Sequence, residues 1–196
     1  MQSVEVEMPR TMFATLVTVA LATALPTAQS NMAKPEKFTA FAVDMSNTAS
    51  RRNTTQLDIT ITRWTTPDER DGLRETLSKG QDALLRSLQR LPVVGFIHTP
   101  GSLRYDLRFA WERPSGDGGR TIILATDRYI SAWEAANQPR TFDYPFTLIE
   151  LQLDKDGKGV GKASIATRIT QDEDGTIELE NFSSEPVMLN DVHPVK

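Results

Sequence analysis

The stretch SAWEAANQPRTFDYPF, Ser131 to Phe146, gathers Trp133, Glu134, Asn137, Arg140, Asp143 and Tyr144 between two strand-like runs. Two carboxylates such as Glu134 and Asp143 can act as acid and base, and a tryptophan can stack on a sugar, which together are the needs of a glycosidase. The same residues can instead plug the end of a β-structure. Pro139 and Pro145 fix the backbone and remove two donors. Main-chain groups outside a ladder then need polar partners. Arg140, with five donors, can hold Asp143, Glu134 or loop carbonyls together, while Trp133, Phe142 and Phe146 cover a core. The plug accounts for more of these residues than a catalytic site does, and it predicts a buried Arg140.

Other chemistry is thinly supplied. Asp106, Glu112 and Glu150 lie near aromatics, but any acidic β-rich chain offers such pairs. The chain has 2 histidines, His98 and His193, and no cysteine. No G-x-S-x-G elbow accompanies them, and a zinc site normally needs Cys or several His. There is no P-loop or dinucleotide fingerprint, so the expectation is no metal and no cofactor. DKDGKG starts like a calcium loop at Asp154 and Asp156. Lys158 and Ile165 then fall on ligand positions, so a hairpin turn is expected. A formal charge of -4 without a basic block argues against a nucleic-acid partner.

These residues must be held by a mostly β chain. LDITIT places Leu57, Ile59 and Ile61 on one face and Asp58, Thr60 and Thr62 on the other. SLRYDLRFAWERP puts Tyr105, Leu107, Phe109 and Trp111 on one face, with Arg104, Asp106, Arg108 and Glu112 opposite. SGDGG, KDGKG, DEDG and SSEP are turns between further strands. In FTLIELQLD the apolar phase slips between Leu148 and Ile149, the mark of a bulge. The exception to the strands is TTPDERDGLRETLSKGQDALLRSLQRLP. Thr66 caps a helix, Pro67 suits its first position and Glu69 completes a capping box. Leu73, Leu77, Leu84, Leu88 and Leu91 form a stripe meant for the sheet, Gly80 divides the helix, and Pro92 stops it. The expected fold is mainly β: an antiparallel barrel or sandwich of about nine strands with a helical insertion at 67–91.

The N-terminus stands apart. MFATLVTVALATAL, after Arg10 and before PTAQS, has the layout of a secretory signal peptide over residues 1–30. Cleavage falls after Ser30 or Ala28, with translation starting at Met1 or Met8. The run is too short to span a bilayer comfortably, so no stable membrane anchor remains after cleavage. Residues 31–196 are expected to form one β-rich domain, periplasmic or extracellular. A domain of that size needs no disulfide.

The order of ITRWTTPDERDGLRETL, LPVVGFIHTPGSLRYDL, ATDRYISAWEAANQPRTFDYPFTLIEL and LDKDGKGVGKAS resembles a group of exported bacterial proteins of unknown function. That resemblance implies export and a single domain, and it implies no activity. The functional expectation is a non-enzymatic domain binding a small or apolar ligand, or a protein partner, at one end of a barrel. Tyr105, Phe109 and Trp111 would line the interior, and Trp133, Glu134, Arg140 and Asp143 would contribute from the loop. The alternatives are a hydrolase using paired carboxylates on a saccharide-like substrate and a surface interaction module without a pocket.

Overall fold

Apolar residues at every second position set the strands. β1 (Glu36–Val43) buries Phe38, Ala40 and Ala42, and β2 (Thr54–Ile61) buries Leu57, Ile59 and Ile61. The two run antiparallel, with Phe38 opposite Ile59 and Ala40 opposite Leu57. The structure, a computed structural model, describes residues 34–43, 54–101, 104–128, 144–171, 177–181 and 186–195.

The remaining strands are β3 (Gly95–His98), β4 (Tyr105–Leu107), β5 (Phe109–Pro114), β6 (Arg120–Thr126), β7 (Phe146–Leu153), β8 (Gly159–Gln171), β9 (Ile177–Asn181) and β10 (Val187–Pro194). All pair antiparallel in one 10-stranded sheet of order β4-β3-β2-β1-β10-β8-β7-β6-β5, with β9 on β8 alone. The sheet is nearly closed into a barrel. Its two edges, β4 and β5, are successive pieces of one run and meet at Arg108. There the Arg108 amide bonds Ala125 O at 2.9 Å and the Val94 amide bonds Leu107 O at 2.8 Å. Aliphatic side chains occupy the interior, among them Ile97, Leu107, Ala110, Ile122, Leu124, Ile149, Leu151 and Leu189.

That junction overturns the single face expected for Tyr105, Leu107, Phe109 and Trp111. β4 pairs with β3, β5 pairs with β6, and Arg108 belongs to neither ladder. One extra residue inverts the alternation. Leu107 and Ala110 are interior, with Tyr105 packed against that core. Phe109 joins a second cluster, on the other side of β5, with Leu73, Leu77, Leu84, Leu88 and Phe146. Trp111 lies beneath the Arg70 guanidinium of α1 at 5.4 Å. Phe109 and Trp111 therefore do not line the barrel interior.

The second cluster belongs to the helical insertion, α1 (Pro67–Leu77) and α2 (Gln81–Arg90). Thr66 caps α1 with the full capping box to Glu69, and Gly80 separates the helices at φ 93°. The leucine stripe packs on the sheet, meeting Phe109, Phe146 and Ile169. β7 does not carry the bulge expected after Leu148: its ladder to β6 runs unbroken, and the register shift against β8, between Phe146 and Leu148, places the extra residue in β8. β10 does not pair with β9, as hairpins in series would require. It pairs with β8 and β1 instead, completing the ring.

Glu69 has a second duty. Arg63 grips its carboxylate at 3.0 and 2.9 Å, anchoring α1 to the segment that leaves β2. The Arg63 hydrogen bond, followed by those from Thr66, holds the Glu69 carboxyl below its usual value despite some burial. A depressed folded value means the stabilisation is complete above the ordinary Glu range, near about 4.3, and is lost as pH falls through the folded value. Glu69→Gln should cost about 0.5–1 kcal/mol at neutral pH, because solvent screens the pair. Denaturant titrations at pH 7 and 3 should show the gap to wild type closing at the lower pH.

Candidate functional site

The barrel's two ends are built differently. At the first, Glu36, Glu112 and Arg120 sit in the interior-facing phase of β1, β5 and β6, just beyond Phe38, Ala110 and Ile122. Arg120 bonds Glu36 at 3.2 and 2.5 Å and Glu112 at 2.6 Å. Glu36 first, then Glu112, push the guanidinium further toward its charged form. Its Cζ lies 6.0 Å from the centroid of the Phe38 ring. One cation thus ties three strands across the mouth and caps the core.

A cleft of about 360 Å³ opens beside this clasp, between the turns at 115–119 and 154–158, with Phe38 at its base and Pro194 on its wall. Its acids build turns. Asp154 Oδ1 accepts the Asp156 and Lys158 amides at 2.8 and 2.9 Å, and Asp117 Oδ1 accepts the Gly119 amide at 3.0 Å. This is the hairpin expected for DKDGKG.

At the opposite end stand Val43, Thr54, His98, Tyr105, Thr126 and Phe146, the strand termini from which the connections 44–53, 99–104 and 127–145 leave. Arg128 lies over Tyr105 at 5.7 Å, Arg104 lies over Phe96 at 4.2 Å, and His98 meets the edge of Phe96 at 6.2 Å. Thr126 donates its hydroxyl to the Arg128 carbonyl. Arg108 is committed elsewhere: its Nη1 donates to Leu91 O at 3.1 Å, and Asp127 and Asp106 stand 3.4 and 4.0 Å from the guanidinium. The Asp127 contact is an ion pair by distance but is not aligned as a hydrogen bond.

The expected site residues divide accordingly. Tyr105 is at this second end. Phe109 and Trp111 are under the helices. Trp133, Glu134, Arg140 and Asp143 lie outside the described residues, and so does the test of a buried Arg140. Of the carboxylates expected from sequence, Glu112 and Glu150 do not form a facing pair. Glu112 is in the interior phase on Arg120, while Glu150, in the outward phase of β7, bonds Gln152 at 2.9 Å and Lys162 at 3.0 Å. Gln152 first, then Lys162, hold the Glu150 carboxyl low, whereas a catalytic acid needs a raised value. His193 on β10 turns its Nδ1 to Asp191 O at 2.8 Å, far in the sheet order from His98 on β3. Sequence reading passed over Arg104 and Arg128, because stacking on Phe96 and Tyr105 arises from strand pairing rather than from spacing.

Comparison of the chain with protein-family models, curated proteins and solved structures finds no match.

Proposed function

We propose that this chain is an exported, non-enzymatic binding domain that engages a ligand or partner at the Tyr105 end of its barrel. The observation that carries the reading is the contrast between the ends. The Glu36 end commits Glu36, Glu112 and Arg120 to a closed clasp and the Asp154 carboxylate to a turn. The Tyr105 end holds cationic groups on aromatic rings near the connections 44–53, 99–104 and 127–145, and recognition residues commonly sit at loops on a rigid frame. The aliphatic interior supports binding at the end, not within the lumen. Native mass spectrometry of protein from its own host should show a bound species. Adding that species to labelled protein should move the amide signals of His98, Tyr105 and Thr126. Signals moving at Arg120 and Asp154 instead would overturn the choice of end.

Export rests on the apolar run from Met12 to Leu25 and the small residues after it. Intact-mass measurement after expression with export should place the mature N-terminus at Gln29 or Asn31. A mass that keeps the leader would remove this part of the proposal.

A further inference from the structure

We draw no further inference here: the strongest candidate, the exposed apolar patch of Phe41, Met188 and Val160 on the outer face of the sheet where β1, β10 and β8 lie side by side, is an unpartnered sheet face, and nothing in the structure shows what covers it.

Discussion

Leu88→Ala should lower the stability of the domain by about 2–5 kcal/mol, the range for a buried leucine truncated to alanine. Leu88 is 3% exposed and packs with Leu73, Leu77 and Leu84 against Phe146, inside the cluster that also takes in Phe109 and Ile169. Those partners come from both helices and from three strands, so little can collapse into the space left behind. The damage should also be regional. Amide exchange should quicken in α1 and α2, whereas β1, β2 and β10, whose side chains fill the barrel interior, keep their protection. Guanidinium denaturation with exchange on the purified variant measures both. A loss below about 0.5 kcal/mol, the scale of a surface change, would mean that the stripe is not held by the sheet and serves a partner instead.

The helical insertion was readable because its signals are local. Thr66, Pro67 and Glu69 act within one turn, Gly80 breaks the helix by its own backbone freedom, and the leucine spacing needs only the period of a helix. LDITIT was readable for the same reason. What escaped depends on a partner strand. Alternation runs unbroken in the letters from Arg104 to Glu112, but β4 pairs with β3 and β5 with β6, and Arg108 stands between the ladders. Nothing in the spacing marks that exchange, so Phe109 and Trp111 were placed in the interior and Glu112 opposite it. β10 was similarly unreadable as the strand that closes the ring, because Val187–Pro194 finds its neighbours in β1 and in the first half of β8. The candidate site fared likewise. Tyr105 could be singled out as an aromatic on a strand. Arg104 and Arg128 became notable only once pairing had set them on Phe96 and Tyr105.

Gly159→Ala should cost about 3 kcal/mol or more, at or above the upper end of overpacking in a close-packed region. The glycines of KDGKG looked like turn residues, and Gly157, at φ 76°, is one. Gly159 serves another purpose. A Cβ there would stand 1.8 Å from the Gln152 carbonyl oxygen, 2.9 Å from its carbon and 3.1 Å from Leu153 Cα. Every obstacle is backbone, and it belongs to β7, which is held on its far side by the ladder to β6. No side chain can swing away, so β7 or β8 must move. β8 has little freedom to do so, because it pairs with β10 on its other edge, where Gly159 faces Val192 across a register shift. Glycine at such a point lets a barrel strand approach its neighbour closely while the sheet bends. Two controls separate crowding from backbone preference. Gly118 has φ 85° and open space around it, so Gly118→Ala should lose only about 1–2 kcal/mol from its left-handed backbone. Gly72, in α1 with nothing near its missing Cβ, should gain about 1 kcal/mol on replacement by alanine. Denaturant unfolding of the three variants should therefore rank them Gly72→Ala, Gly118→Ala, Gly159→Ala in falling stability. If Gly159→Ala stayed within about 0.5 kcal/mol of wild type, as a surface change does, β8 would not approach β7 this closely, and the closure of the barrel at that hairpin would have to be redrawn.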